Sequence, residues 1–300
     1  MLLLIGLVVF LVPNSKDPNG HALDPLGALI SVLMLGALVL GIIEGPHWGW
    51  TSAGVLGAFG VAIVSALAFV GWEMRAPHPM LDPRLFRLKG FAMGSLSITL
   101  AFFCMFGTFL LLSFYLQFVH GYTPLGAAVR TLPSAVVMIL VSPRSPKIVE
   151  AIGVKNTQRI GFGLIATGFV GMSFLHVDTP YWYLAIFLCT MSAGIATLMA
   201  PASGMIVSSL PLSKAGVGSA VNDVTREVGG AIGIAIMGSV LASGYRSEMA
   251  TRTAKFPIPD AIRPVVEDSI GAAMHVASDP RTPASGAAAL RDAARHSFIV

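Results

Sequence analysis

The sequence contains little charge. Asp, Glu, Lys and Arg make up 11% of its 300 residues, whereas a soluble globular protein carries about 25%. Apolar residues make up 55% of the chain, and its mean hydropathy is +0.78. This shortage of charge excludes an ordinary soluble domain and indicates a chain that lies in a lipid bilayer.

Cysteine is almost absent, and the basic residues are spread along the chain. The two cysteines, Cys104 and Cys189, lie in apolar stretches without the spacing of metal ligands, so we assign them to packing. No glycine-rich phosphate loop is visible. The net charge of +4 comes from loops and not from one clustered basic face. We therefore expect no metal, no organic cofactor and no nucleic-acid partner.

Long apolar runs are the main feature of the chain. Crossing a hydrocarbon core takes about 20 apolar helical residues. We predict eight spans, at residues 1–12, 25–45, 52–73, 91–117, 124–141, 158–176, 181–207 and 216–243. A β-barrel would alternate in hydropathy, whereas the run from Ile30 to Ile43 is apolar on all sides. The expected fold class is all-α, a polytopic helical membrane protein. The first span looks like the end of a helix, and residues 298–300 look like the start of another.

Basic residues predict the orientation, because Lys and Arg of short loops are retained on the cytoplasmic side. One set of connections carries them: Lys16, Arg75, Arg84, Arg87, Lys89, Arg144, Lys147, Lys155, Arg159 and Lys214. The alternate connections, near residues 46–51, 118–123 and 178–180, carry none. The linker after residue 12 is therefore predicted to be cytoplasmic, and residues 244–297 extracytoplasmic.

These features divide the chain into five regions. The end of a span and a linker occupy residues 1–24, a transmembrane hairpin residues 25–73, and a second linker residues 74–90. A bundle of five spans follows at residues 91–243. Residues 244–300 contain five prolines and charges of both signs, so we expect an exposed loop with at most short amphipathic helices, followed by the start of a last helix.

The stretch from Gly218 places charges inside an apolar span. On a helix that turns about 100° per residue, they share one side with several glycines. This stripe contains Asp223, Arg226 and Gly230, with Asn222, Glu227, Gly229 and Gly233 beside them. Glycines permit close approach of a neighbouring helix, and charges at mid-membrane usually face a bundle interior, a partner or water. We therefore expect the stripe to line an interior surface.

Three roles are open for these charges. Asp223 and Arg226, at i and i+3, would in one case neutralise each other and stabilise helix packing. In the second case, Asp223 or Glu227 changes protonation during a transport cycle, and Arg226 adjusts its proton affinity, since burial disfavours an ionised carboxylate and a nearby cation favours it. In the third case they contact a cation or a substrate without proton exchange.

Three further polar residues are candidates for a substrate cavity. Arg130 lies well inside the span 124–141. It either faces the interior or snorkels about 9–10 Å to the outer interface. Tyr115 and Gln117, near the outer end of the span 91–117, could donate hydrogen bonds to a ligand, and an interfacial position is the alternative.

The predicted cytoplasmic loop from Ser142 carries Arg144, Lys147 and Glu150. Its simplest role is to retain positive charge on that side of the membrane. An ion pair between such a loop and a helix end also closes one face of a transporter. These three residues are therefore candidates for a cytoplasmic gate.

Several stretches resemble the fourteen-helix drug:proton antiporters of the major facilitator superfamily, of the EmrB/QacA type. The matching stretches are "LLLIGLVVFLVPNS", "LGALISVLMLGALVLGIIEGPHWGW", "LDPRLFRLKGFAMGS", "FYLQFVHGYTPLGAAVRTLP" and "REVGGAIGIAIMGSV". They occur in the expected order over residues 1–245. The resemblance implies a chain that runs from the end of the sixth helix to the thirteenth, with residues 25–73 as the extra central hairpin. It also implies a missing N-terminal half as partner.

The resemblance implies a function as well: proton-coupled export of amphipathic, often cationic compounds by alternating access in a bacterial inner membrane. The proton is then the coupling ion, and the lipid bilayer surrounds the protein. Only Arg226 and the glycines at 229, 230 and 233 carry over from the family's thirteenth helix. Glu227 departs from the family, which more often has glutamine there.

Two other classes of protein stay open. An intramembrane enzyme such as a protease needs a base within hydrogen-bond reach of its serine. His120 and His176 lie at outer helix ends, however, while Ser203 lies near an inner end, so we expect no catalytic site. The other class is a membrane scaffold or an inactive fragment that does not transport.

Overall fold

The computed structural model describes residues 24–77, 79, 81–211, 215–254, 262–280 and 282–299. These residues form helices and turns, with no strand among them, which confirms the all-α class. The helices are α1 (Pro25–Trp48), α2 (Ala53–Glu73), α3 (Lys89–Phe114), α4 (Pro124–Val141), α5 (Ser145–Met172), α6 (Tyr181–Ser208), α7 (Ala215–Thr253), α8 (Arg263–Asp268), α9 (Ile270–Ser278) and α10 (Ala284–Phe298). Short 3-10 turns at Pro83–Arg87 and Ser142–Arg144, and a π-helical turn at Tyr115–Val119, connect some of them.

Within the described part of the chain, six helical stretches are long and apolar enough to cross a membrane. They are Pro25–Trp48, Ala53–Glu73, Lys89–Val119, Pro124–Met172, Tyr181–Ser208 and Gly216–Thr253. They cover seven of the predicted spans, because the stretch Pro124–Met172 contains both the span at 124–141 and most of that at 158–176. The first predicted span, residues 1–12, lies outside the described residues.

Helices α1 and α2 form a hairpin with capped N-termini. Asp24 accepts a hydrogen bond from Gly27 N at 2.8 Å, and Ser52 accepts one from Val55 N at 3.3 Å. These bonds satisfy amides that have no partner inside the helix. The Trp72 indole donates to Asp24 Oδ2 at 2.8 Å, so the start of α1 is bonded to the end of α2.

Helices α3, α6 and α7 form the centre of the bundle. Helix α3 packs against both α6 and α7, and α4 and α5 pack against α6. The side chains of Leu188, Met191 and Leu198 on α6 are fully buried in this core. We call the end of the bundle with the starts of α4 and α6 the outer end, following the predicted orientation, and the opposite end the inner end.

The chain stays helical where the sequence predicts a cytoplasmic loop. Helix α4 continues through the 3-10 turn Ser142–Arg144 directly into α5, and the kink comes later, at Gly153, where φ is +80° and ψ is 159°. The prolines of "SPRSP" indicate a loop, but proline is tolerated in the first turn of a helix, where its missing N–H is not needed. Ser145 Oγ donates to Thr197 O at 2.7 Å, which attaches this segment to α6. The predicted loop is therefore corrected to helix.

The described residues after position 243 pack on the outer end of the bundle. Helix α7 continues to Thr253, beyond its predicted end, and α8, α9 and α10 follow. Met249, Ala273 and Ala294 are fully buried in the core that these helices share with the end of α3. Alanine adds little hydropathy, but alanines at helical spacing give a short helix an apolar face. The prediction here was an exposed loop with at most short amphipathic helices; the described residues form short helices that are packed and not exposed. We call residues 263–280 and 282–298 the outer cap.

Candidate functional site

The charged residues of α7 lie beside α3, at the edge of the buried face of α7. The guanidinium carbon of Arg226 lies 5.5 Å from the centre of the Phe102 ring, and its Nη1 lies 3.9 Å from Asp223 Oδ1. Arg226 Nε is buried and has no hydrogen-bond partner among the described residues. The Asp223 side chain is 71% exposed, and Glu227 is also exposed. The described helices therefore hold Arg226 in place and leave both carboxylates uncovered.

A polar pair links α7 to α6 on the other side of the stripe. Asn222 Nδ2 donates to Ser203 Oγ at 3.2 Å, and the same hydroxyl lies 3.4 Å from Asn222 Oδ1. Interhelical hydrogen bonds of this kind stabilise helix packing in membranes. An amide is not a base, so this contact does not activate Ser203 as a nucleophile.

Gly229 and Gly233 lie where α7 approaches α3 most closely. A Cβ on Gly229 would stand 2.3 Å from Thr99 O, and one on Gly233 would stand 2.4 Å from Phe103 O. Gly230 faces the Phe106 ring, with 3.1 Å between its ideal Cβ position and Cδ2. Two glycines one turn apart thus bring two backbones into contact, and this contact places Arg226 against α3.

Arg130 belongs to an aromatic cluster at the outer end. Its guanidinium carbon lies 3.5 Å from the centre of the Tyr122 ring and 5.8 Å from that of Tyr181. It donates to Gly126 O at 3.0 Å, one turn back along α4, and Tyr181 OH donates to Arg130 O at 2.8 Å. The side chain therefore turns towards the outer end, and the structure does not bring it to the stripe on α7.

Tyr115 and Gln117 use their donors inside the chain. Tyr115 is buried at the start of the π-helical turn, and its hydroxyl donates to His176 O at 2.8 Å. Gln117 Nε2 donates to Ser113 Oγ at 2.7 Å on its own helix. The donors predicted to contact a ligand are thus engaged, although π-helical turns are frequent at functional sites.

An apolar cavity of about 420 Å³ lies near the outer end, between α3, α5, α6 and α7. Its walls include Leu112 of α3, Tyr115 of the π-helical turn, Leu184 of α6, Met237 of α7 and Phe298 of α10. The volume is within the range of small-molecule sites, about 300–1000 Å³. Because the Tyr115 hydroxyl is engaged elsewhere, the cavity offers mainly apolar contacts. No group of three or more His, Cys, Asp or Glu that could hold a metal ion occurs in the described ranges.

Arg144, Lys147 and Glu150 lie on the helical segment before Gly153. All three are exposed, and none of them forms an ion pair within the part of the chain that the structure describes. Arg144 donates to Leu140 O, one turn earlier in its own helix. The structure therefore does not pair these residues as a gate.

Two polar junctions were not predicted from the sequence. At the inner end, Gln158 of α5 donates to Ser97 Oγ of α3 at 3.2 Å and to Met205 S of α6 at 3.3 Å, so that it joins three helices. At the outer end, Arg246 of α7 donates to Pro46 O of α1. A lone polar residue at the end of a span is the only sequence signal for either junction, because the partners lie far away along the chain.

His120 lies near two cations at the outer end. Its ring stacks on Tyr122, with 5.6 Å between ring centres. Burial, and then the positive charges of Arg295 on α10 and Arg130 on α4, lower the pKa of His120 from its usual 6.5, while Asp178 opposes this shift. The unfolded chain therefore binds the proton more readily than the folded one. The contribution of the neutral His120 to the free energy of unfolding is fully present above the pKa that this histidine has in the unfolded chain. It is lost as the pH falls from there through the lower pKa of the folded state.

We expect the outer cap to open more readily at about pH 5.5 than at about pH 7.5, since at the lower pH opening lets the released histidine, with its usual pKa of about 6.5, bind a proton. Amide hydrogen exchange in residues 284–298, corrected for the intrinsic rate, should be faster at the lower pH. His120→Gln should reduce that difference, whereas His176→Gln, at an exposed histidine of the same end, should not. An unchanged pH response in His120→Gln would contradict the prediction.

The geometry defines a class of protein: a polytopic helical membrane protein whose central helices combine a charged stripe with a close glycine contact. Residues 3–234 match the family model of the Major Facilitator Superfamily, and the chain belongs to this superfamily. Membership confirms that the chain is of the transporter class and not an enzyme. Together with the six apolar stretches and the bacterial relatives described next, it also confirms a multi-pass location in a bacterial inner membrane.

Three relatives show what the chain is similar to. It is 30% identical to the multidrug resistance protein Stp of Mycobacterium tuberculosis, over 90% of this chain and 52% of that protein. It is 32% identical to the multidrug efflux pump LfrA of Mycolicibacterium smegmatis, over 96% and 56%. It is 30% identical to the tetracenomycin C resistance and export protein of Streptomyces glaucescens, over 99% and 55%. The chain thus spans about half the length of these curated relatives.

Proposed function

We propose that this chain is part of a fourteen-helix drug:proton antiporter of the EmrB/QacA type, which exports amphipathic, often cationic compounds across the bacterial inner membrane. The relatives named for multidrug efflux, multidrug resistance and export support the choice of cargo. An N-terminal half of the same transporter is then the partner of the helices described here, and the proton is the coupling ion.

The observation that carries this proposal is the pair of uncovered carboxylates beside an anchored arginine on α7. Asp223 and Glu227 are exposed, while Arg226 packs over the Phe102 ring. Ionised carboxylates are costly in hydrocarbon and usually face protein or water. The uncovered face of α7 therefore borders the transport path in our proposal, where Asp223 exchanges a proton and Glu227 attracts a cation.

Two aromatic rings beside the stripe suit a planar cationic compound. Phe102 and Phe106 of α3 stack with 6.0 Å between their ring centres, and Phe106 is 41% exposed. Cations are attracted to aromatic faces, most strongly where water is excluded. Binding would otherwise be apolar, as in adaptable pockets that accept many compounds.

The test is the accumulation of ethidium, a planar cation, in everted membrane vesicles from bacteria that express the gene encoding this chain. Respiration should drive uptake of the dye into the vesicles, and a protonophore should abolish it. Uptake no greater than in vesicles without the gene would favour a non-transporting scaffold. Uptake that persists with the protonophore would contradict proton coupling, but it would still support export of the dye.

A further inference from the structure

The 3-10 turn Pro83–Arg87, just before α3, packs on the inner end of the bundle. Leu81 and Leu85 pack against the inner core around Phe91. The Phe86 ring packs edge-on against Phe91, with 5.2 Å between ring centres, but Phe86 and Leu88 are each still 44% exposed. The turn lies at the membrane boundary, because the apolar stretch of α3 begins at Lys89. Two large apolar side chains are therefore presented at the inner end, next to the bilayer.

Cations alternate with these apolar residues. Arg84, Arg87 and Lys89 are exposed, and within the described ranges none of them forms an ion pair. Residues i and i+3 of a 3-10 helix lie on the same side, so Arg84 and Arg87 are neighbours of like charge. The nearest carboxylate in sequence, Asp82, accepts a hydrogen bond from Arg84 N at 2.9 Å as a helix cap. An external anion would relieve the repulsion between the two guanidinium groups.

We propose that Arg84, Phe86, Arg87, Leu88 and Lys89 form a headgroup site, which binds an anionic phospholipid of the inner leaflet. Two guanidinium groups suit a phosphate, because each presents planar pairs of donors. Anionic lipids also attract basic residues next to a membrane span. A soluble anion would engage the cations alone, whereas a lipid also covers the exposed Phe86 and Leu88 with its acyl chains. The mixture of the two kinds of residue therefore favours a lipid.

The proposed lipid would act on the inner ends of two central helices. Leu85 and Phe91 belong to the same apolar cluster as Ile98 of α3 and Ile206 of α6. A headgroup held by Arg84 and Arg87 would restrain the turn and, through it, this cluster. The headgroup site is independent of the proposed export function, because none of its residues belongs to the stripe on α7.

The test is native mass spectrometry of the purified protein in detergent, titrated with phosphatidylglycerol. The double variant Arg84→Gln/Arg87→Gln should bind the lipid at least about tenfold more weakly, since it loses charge-assisted hydrogen bonds at two positions. The matched control is Lys155→Gln/Arg159→Gln, which removes two exposed charges from the same end of the bundle and should change binding less than about twofold. The variant Arg84→Lys/Arg87→Lys should recover part of the binding, because charge remains and the planar donors do not.

Three ligands are compared, phosphatidylglycerol, phosphatidylcholine and inorganic phosphate, to distinguish a lipid headgroup from a soluble anion. Phosphatidylcholine should be retained much less than phosphatidylglycerol, and inorganic phosphate should not displace the bound lipid. Unchanged phosphatidylglycerol binding in the glutamine variant would overturn the proposal, as would equal retention of phosphatidylcholine. Displacement by inorganic phosphate would replace the lipid site with a site for a soluble anion. Size-exclusion profiles identify any variant that fails to fold, and the lysine variant then provides the comparison.

Discussion

Replacing Gly229 and Gly233 together with alanine should prevent α7 from packing against α3. Each new Cβ would meet a backbone carbonyl oxygen, that of Thr99 at 2.3 Å and that of Phe103 at 2.4 Å. A backbone atom cannot rotate away as the end of a flexible side chain can, so the two helices must separate. Overpacking of this kind costs about 1–3 kcal/mol at each position. We expect the purified variant either to aggregate or to unfold about 10 °C below the parent protein.

The matched control is Gly244→Ala on the same helix. No atom lies within 4 Å of the Cβ that this change would add, so alanine reduces backbone freedom there without a clash. It should leave the melting temperature unchanged or raise stability by about 0.5–1 kcal/mol. Thermal unfolding in detergent, monitored by circular dichroism, compares the three proteins. A double variant that melts with the parent would show that α3 and α7 do not approach as closely as described.

Length and hydropathy were enough to predict the helices that cross the membrane, because both report directly on a hydrocarbon core of fixed thickness. They were not enough for the segments at the two ends of the bundle. The prolines of "SPRSP" suggest a break, yet helical dihedrals continue to Gly153. Alanines such as Ala273 and Ala294 carry little hydropathy, and their burial in the outer cap depends on packing partners that local sequence does not reveal.

The candidate site was predictable only in part, for a similar reason. The recurrence of glycine at positions 229 and 233 indicates a helix contact, because glycines four residues apart share one face. The sequence does not say which helix fills that face, or that Arg226 packs over Phe102. Ser203 is a further example, since its bond to Asn222 depends on α6 and α7 becoming neighbours. Contacts between helices are a property of the assembled bundle.

The variant Asp223→Asn should reduce proton-driven ethidium accumulation in everted vesicles by at least about tenfold, which corresponds to about 1.4 kcal/mol. Asparagine keeps the size of the side chain but cannot carry a proton through a transport cycle. Glu248→Gln on the same helix is the matched control, because Glu248 pairs with Arg252 at 2.8 Å and lies away from the stripe. It should transport as the parent protein does.

A loss of transport in Asp223→Asn has a second explanation, because the change also leaves the Arg226 charge uncompensated. The double variant Asp223→Asn/Arg226→Gln separates the two. If the 3.9 Å pair only neutralises charge and stabilises packing, removing both charges should restore folding and export together, since Arg226 no longer leaves a charge without its partner. If Asp223 carries the proton, the double variant should regain its thermal stability and still fail to couple dye uptake to the proton gradient. Recovery of protonophore-sensitive uptake in the double variant would therefore refute the proton-carrying role, and the carboxylate at 223 would then be a packing residue.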